Sequence, residues 1–291
     1  MRNQNKKQMK QKEKIGFIGQ GWIGKNYADN FEKRGFEVVR YSMEEPYVRS
    51  KEEIKKCDIV FIAVPTPTTK RGFDDKIVDS VLTHIGRGKT AVIKSTTLPG
   101  TIKKLQKKYP DITILHSPEF LTKATAAYDT SNPARNIVGI PTNTPSNKKK
   151  AKYVLSILPR APVELICSSD ESELIKYGSN CFYYTKVVFF NILFDLAKKL
   201  DLEWKPVELA LKADPMIGKS HVEPLHKSGR GAGGVCLLKD FEAFSQLVNR
   251  ELGAKEINLM RAIRDKNLAL LALTRKDEEF VRMIYGRGSR K

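Results

Sequence analysis

From Lys14 onward, short apolar runs alternate with amphipathic stretches. "KIGFIG" (14–19) is a run of the buried-strand type, and "GWIGKNYADNFEKRG" (21–35) has helical spacing that Gly35 ends. "FEVVRYS" predicts a second strand, "KEEIKKC" a short helix and "DIVFIAV" a third strand. "IVDSVLTHIG" reads as helix, "TAVIKS" as strand, "TIKKLQKKY" as helix and "ITILHSP" as strand, with "NIVGI" and "VELIC" as later strands. This alternation predicts an α/β fold, a doubly wound and mostly parallel sheet with helices on both faces.

Near residue 170 the pattern changes. "SSDESELIKYGSN" opens with Ser and Asp capping signals and leads into an apolar helix that runs to about Leu200. The remainder is mainly helical. The chain therefore divides into a disordered basic tail (1–13), an α/β domain (14–168), a mainly α-helical domain with a long central helix (169–275) and a basic carboxyl tail (276–291). The most apolar segment, 181–200, carries Lys186, Asn191 and Asp195, too many interruptions to span a bilayer. Its apolar residues fall on nearly every side. One small helical domain cannot cover them all, which predicts a homodimer built through this helix.

Composition changes the picture little. Lys and Arg number 52 against 33 acidic residues in 291, a net charge of +19. Much of the excess lies in "MRNQNKKQMKQKEK", in "NKKK" (147–150) and in "YGRGSRK". These read as solvated runs rather than a binding face, and no zinc-finger or RNA-recognition pattern accompanies them, which argues against nucleic acid as a partner. The cysteines at 57, 167, 181 and 236 form no C-x-x-C pair and no metal spacing, so no metal is expected. With no secretory pattern at the amino end, reduced thiols and a cytoplasmic location are the default.

Five stretches carry chemistry. "GQGWIG" (Gly19, Gln20, Gly21, Trp22, Ile23, Gly24) sits between a strand and a helix, the context that makes G-x-G-x-x-G a dinucleotide loop and the fold Rossmann-type. The second strand ends at Ser42 with Arg40 nearby, where an acid holding the ribose would mark NAD. The cofactor expected is NAD, with NADP left open and Glu44 or Glu45 as substitutes from the loop. "KSTTLPG" and "HSPEFL" place Thr96 and Glu119 after strands, at the edge where parallel sheets bind ligands. Lys176 and Asn180 share one face of the long helix, an ammonium and an amide aimed into a cleft or else a solvated stripe. "GAGGVCLLKD" puts Cys236 after Gly233 and Gly234 at the opening of a helix, with Asp240 one turn later. Such a position favours thiolate, although a small apolar filler has the same signature.

Eight stretches, "GFIGQGWIGKN", "VFIAVPTPT", "IKSTTLPGT", "SPEFL", "NPARNIVG", "ELIKYGSN", "ADPMIG" and "GAGGVCLLKD", occur in the order found in one family. From 14 to about 265 the sequence resembles the nucleotide-sugar dehydrogenases, the UDP-glucose and GDP-mannose 6-dehydrogenases. The resemblance implies a four-electron oxidation of a sugar CH2OH to a carboxylate with two nicotinamide cofactors, UDP-glucose to UDP-glucuronate being the foremost pair. It implies Cys236 as nucleophile, Lys176 and Asn180 as oxyanion stabilisers, and Thr96, Glu119 and Asp240 as handlers of the proton and the attacking water. It also implies the 19–24 loop, Ser42, Thr66 and Thr96 as cofactor contacts. Glu119, Phe120, Leu121, Lys176, Asn180, Gly233 and Gly234 become contacts of a nucleotide-sugar substrate.

The sequence departs from the family pattern at Lys123 (a glutamate), Met216 (an arginine reaching the neighbouring subunit), Ala232 (a phenylalanine) and Val235 (a serine). The family's carboxyl-terminal nucleotide-binding domain would follow where this sequence stops. Two alternatives stand beside the leading expectation. One is a hydroxyacid dehydrogenase of the 6-phosphogluconate type, which has no use for a catalytic cysteine. The other is a dinucleotide-binding module without catalysis.

Overall fold

The computed structural model describes residues 13–227 and 229–286. The amino tail expected over 1–13 lies outside these residues except for Glu13. Two compact units emerge: residues up to Thr66 with Asp75–Glu173, and Pro67–Asp74 with Leu174 onward.

The first unit is built on seven strands, β1 (Lys14–Ile18), β2 (Glu37–Tyr41), β3 (Ile59–Ile62), β4 (Thr90–Ile93), β5 (Thr113–His116), β6 (Arg135–Ile140) and β7 (Val163–Ser168). Their order is β2-β1-β3-β4-β5-β6-β7. All neighbours pair in parallel except β5 and β6, which meet antiparallel at His116 and Gly139, so β6 and β7 run against the rest. The helices of this unit are α1 (Trp22–Lys33), α2 (Lys51–Ile54), α3 (Lys76–Leu82), α4 (Thr101–Lys108), α5 (Ala126–Ser131) and α6 (Pro145–Ile157).

Strand periodicity explains the two cores. Ile15, Phe17, Ile59 and Phe61 point to one face and meet Tyr27, Ala28 and Phe31 of α1 and Val154 of α6. Ile18, Val60, Ile62 and Ile93 point to the other and meet Ile54, Val78, Leu82, Ile102 and Leu105 of α2, α3 and α4. Strands buried on both faces carry unbroken apolar runs, which is how they read in the sequence. The basic run at 147–150 lies within α6, where Lys150 donates to Thr113 Oγ1 at 2.6 Å.

A single helix, α7 (Ser169–Lys199), begins in the first unit and continues into the second. The second unit adds α8 (Trp204–Ala213), α9 (Val235–Glu251), α10 (Ala254–Thr274) and α11 (Glu278–Tyr285), with two-residue hairpins at 68–73 and 225–230. Tyr184 of α7 stacks on Phe241 of α9 at 3.9 Å. The polar residues within α7 bind their own unit: Arg230 Nε donates to Asn191 Oδ1 at 2.9 Å, Arg230 pairs with Asp195 at 2.7 Å, and Lys186 donates to the Ile217 carbonyl at 2.7 Å. No helix among the described residues is long and apolar enough to cross a membrane.

Residues 276–286 correct the expectation of a basic carboxyl tail. Phe280, Val281, Ile284 and Tyr285 fall on one helical face, and Ile284 and Tyr285 are buried in α11, so apolar spacing prevails over local charge. Residues 287–291 lie outside the described residues.

Candidate active site

The glycine loop grows out of β1. Gly19 has φ +90°, and its N–H donates to the Tyr41 carbonyl at 2.9 Å, which ties the loop to the carboxyl end of β2. A Cβ at Gly19 would run into the Ala63 carbonyl, and one at Gly24 into the Gly19 carbonyl. Gly21 differs. It is the N-cap of α1, offers no side-chain cap, and a Cβ there would meet nothing within 4 Å. Open space over an uncapped helix amino end fits a pyrophosphate. Trp22 and Ile23 open the helix, and Ile23 packs on the core. Gln20 turns back, donating to the Phe17 and Gly19 carbonyls at 3.4 and 3.2 Å.

Arg40 is pinned by Asp29 at 2.6 Å and Glu32 at 2.7 Å, both on α1. Ser42 Oγ closes a turn on the Glu44 N–H at 3.3 Å and the Glu44 carbonyl at 3.2 Å. Glu44 and Glu45 are exposed.

Thr66, Thr96 and Glu119 follow β3, β4 and β5 in turn, and all three are buried. With the glycine loop they lie at one carboxyl edge of the parallel strands. The order β2-β1-β3 places the topological switch beside β1, where such sheets bind ligands. Ser95 holds β3 to β4 here, accepting from the Val64 N–H at 2.9 Å and donating to the Val64 carbonyl at 2.7 Å. Glu119 Oε2 accepts from the Leu121 N–H at 2.7 Å, and Phe120 lies under the Arg135 guanidinium at 3.9 Å. Burial first, and then the Glu119 charge, holds the Tyr27 phenol well above its ordinary range.

In the second unit, α7 presents Lys176 and Asn180 one turn apart, both buried. Asn180 Nδ2 donates to Asp240 Oδ2 at 2.6 Å, and Lys239 Nζ pairs with Asp240 Oδ1 at 2.5 Å. Cys236 is the second residue of α9, half-buried and one turn before Asp240. Gly234, with φ +78°, is the N-cap of α9 and leaves the helix without a side-chain cap, so donors of the first turn face any charge developing beside Cys236. A Cβ at Gly233 would run into Asp277. Cys181 has a different character. It sits 3.8 Å from the Asp240 carbonyl, and burial, then the Asp240 charge, raises its thiol well above the ordinary range.

Three residues escaped the sequence reading. Lys94 is buried, donates to Ser117 Oγ at 3.2 Å and stands 4.3 Å over the Tyr27 ring. Its signal was present, a lysine ending an apolar strand run. Glu173 accepts from Thr97 Oγ1 and the N–H groups of Gly100 and Ile102 at 2.9, 3.0 and 3.1 Å, capping α4. Asp277 accepts from the Gly234 N–H at 2.8 Å. Neither of the last two left a local signal, because their partners lie far off in sequence. Among the described residues no group of three His, Cys, Asp or Glu stands placed to hold a metal ion.

Residues 45–156 match the model of the UDP-glucose/GDP-mannose dehydrogenase family, NAD binding domain, and residues 170–269 match that family's central domain. The chain belongs to the UDP-glucose/GDP-mannose dehydrogenase family. Among its relatives, the UDP-glucose 6-dehydrogenase of Rickettsia prowazekii is 32% identical over 78% of this chain and 53% of its own length. The chain spans about half the length of the first curated relatives it matches. The UDP-glucose dehydrogenase of the hyperthermophilic archaeon Pyrobaculum islandicum superposes with a TM-score of 0.76 at 24% identity, covering 89% of this chain and 69% of that one. The 3-hydroxyisobutyrate dehydrogenase of Mycobacterium tuberculosis shares the fold with a TM-score of 0.71 at 16% identity, over 94% and 98% of the two chains. The fold alone thus extends beyond the family. The cysteine-bearing segment at 231–240 falls inside the match to the family's central domain.

Proposed function

We propose that this chain is a nucleotide-sugar 6-dehydrogenase that oxidises the sugar CH2OH of UDP-glucose to the carboxylate of UDP-glucuronate. The observation that carries the reading is the arrangement on α7 and α9. Asn180 is fixed to Asp240 at 2.6 Å, Lys239 pairs with the same carboxylate, and Cys236 stands one turn upstream on α9.

NAD, when bound, supplies the hydride acceptor, and two are consumed for each carboxylate. Gly19, Gly21 and Gly24 would hold its pyrophosphate at the α1 amino end, and Ser42, Thr66 and Thr96 would contribute from the same edge. Glu119 and Thr96 order the water and take up the proton released from the C6 hydroxyl. The Cys236 thiolate adds to the aldehyde carbon to give a thiohemiacetal. Loss of the second hydride leaves a thioester, and water cleaves the C–S bond, returning the thiolate and releasing the acid. Lys176 and the Asn180 amide hold the negative charge that develops on the C6 oxygen at each stage. A fixed ammonium and a fixed amide need no reorganisation as that charge forms. Asp240, one turn from the sulfur, keeps the amide in place.

The exposed side of α7 bears on the partner. Leu174, Phe182, Phe189, Ile192 and Leu196 are all about half exposed or more, at spacings of eight, seven, three and four that trace one stripe. A second copy of this chain covers that stripe, giving a homodimer.

The test is purified protein with UDP-glucose, offered NAD and NADP separately. Two reduced cofactors per sugar oxidised, with NAD preferred, support the reading. One reduced cofactor per substrate would move the reaction to a simple alcohol oxidation. Dinucleotide binding without turnover would leave a binding module.

A further inference from the structure

The turn between α10 and α11 reaches out of its own helices and grips the glycine segment that precedes Cys236. Asp277 is the N-cap residue of α11, a position from which an aspartate ordinarily caps its own helix. Its side chain makes no such bond. Instead, Oδ2 accepts from the Gly234 N–H at 2.8 Å, and Gly234 is the residue on which α9 begins. The neighbouring Lys276, buried, donates to the Gly231 carbonyl at 2.9 Å and the Gly229 carbonyl at 3.5 Å. Asn267 on α10, fully buried, accepts from the Ala232 N–H at 2.7 Å and donates to the Ala232 carbonyl at 2.9 Å. Residues 229–234 are thus held from one side along their whole length.

The gripping turn is itself strained. Arg275 and Asp277 both adopt left-handed backbone angles, φ 53° and 54°, which residues with a Cβ avoid. Those two angles flank Lys276 and direct its side chain and that of Asp277 to the glycine segment. The segment is fitted in turn: a Cβ at Gly233 would collide with Asp277 and Lys276, and one at Gly231 would press on Asn267. Strain on one side and excluded side chains on the other are a costly arrangement for an ordinary loop.

We infer that Asp277 is a positioning residue, which, with Lys276 and Asn267, fixes the start of α9 and so sets where the Cys236 sulfur stands. This deepens the reading of Cys236 as nucleophile and rests on it for its catalytic meaning. The clamp acts on the backbone that leads into the sulfur's helix. It removes the freedom of two adjacent glycines that would otherwise let the helix amino end, and the thiol on its first turn, drift. Displacement of a nucleophile by about 1 Å lowers turnover about a hundredfold.

The experiment uses the full chain with Asp277→Gly and Asp277→Asn. Glycine accepts the left-handed angle, so it deletes the carboxylate without adding strain, and asparagine keeps an acceptor for the Gly234 N–H and tolerates the same angle. Amide exchange of the 229–238 peptide reports the clamp, iodoacetamide labelling of Cys236 followed by mass reports the thiol, and NADH formation reports turnover. Asp277→Gly is expected to speed exchange, to change the labelling rate about fivefold or more in either direction, and to lower kcat about a hundredfold with KM for UDP-glucose within about twofold. Asp277→Asn is expected to restore all three. Faster exchange with labelling and kcat unchanged overturns the proposal, as does an asparagine variant that behaves like glycine. Should the wild-type chain turn nothing over, the proposed activity falls. Labelling then decides the clamp alone: a changed rate rescued by asparagine upholds it, and an unchanged rate sinks it.

Discussion

Asn180 on α7 donates its amide to the Asp240 carboxylate on α9 across 2.6 Å, and both side chains are buried. Asp240 is also held by Lys239 at 2.5 Å, so its charge is paired and its second oxygen is committed to orienting the amide. Replacing Asn180 by Asp sets two carboxylates against each other in a buried site. The expected cost is about 1–3 kcal/mol at neutral pH, because a buried acceptor loses its donor and gains a like charge. Acidification should recover part of it, as one of the two carboxyl groups takes up a proton. Urea denaturation of Asn180→Asp at two pH values measures this. Equal loss at both would show that the charges do not meet.

Glu173 makes stability depend on pH in the opposite sense to an ordinary surface carboxylate. Burial pushes its carboxyl up to about 8 from 4.5, against the three donors from Thr97, Ile102 and Gly100 that favour the anion. The folded pKa is therefore raised above the unfolded one, and between the two values the folded chain binds more protons than the unfolded chain. The contribution is fully present below about pH 4.5 and is lost as pH rises through about 8. Glu173→Gln, which cannot ionise, should flatten that slope. The denaturant midpoints of the two proteins across this range provide the check.

The same residue shows what the sequence could carry. "SSDESEL" reads as the capping signal of the long helix, and Glu171 does answer the Ser168 N–H at 2.7 Å. Glu173 instead caps α4, more than seventy positions earlier in the chain. Strands β1, β3, β4 and β5 were legible because burial on both faces leaves unbroken apolar runs. The reversal of β6 and β7 was not, because strand direction depends on a pairing, His116 with Gly139, that no local pattern encodes. In the second unit, α7 announced itself by length and cap. The role of Lys276 and Asp277 was hidden inside a charge-rich stretch, "TRKDEE", whose composition suggested solvent.

The stripe on α7 makes the oligomeric state testable. Phe182 is 62% exposed and Phe189 is 58% exposed, in the same helix whose opposite side buries Tyr177, Tyr184 and Val188. The double change Phe182→Glu, Phe189→Glu places two charges on the stripe without touching that buried side. Light scattering should find a dimer for the wild type and a monomer for the double variant. A wild type that stays monomeric at micromolar concentration contradicts the assembly.

Cys236 decides the chemistry. If its sulfur is the nucleophile, Cys236→Ala abolishes acid formation, because no covalent thiohemiacetal can form and so no thioester can follow. The first oxidation does not need the sulfur, so slow formation of aldehyde can persist. The wild type should yield two reduced cofactors per sugar and the variant at most one. Cys236→Ser should not rescue, since a hydroxyl is a far poorer nucleophile than a thiolate at an uncapped helix start. The other thiols offer no substitute: burial pushes Cys57 and Cys167 up to about 11, and burial, then the Asp240 charge, raises Cys181 well above the ordinary thiol range. NAD binding should be unchanged in both variants, because the 19–24 loop belongs to the first unit and Cys236 to the second. An alanine variant that still makes the acid at near wild-type rate would reduce Cys236 to a filler at a helix start. The Lys176–Asn180 pair on α7 would then be left to serve a single oxidation of the hydroxyacid type.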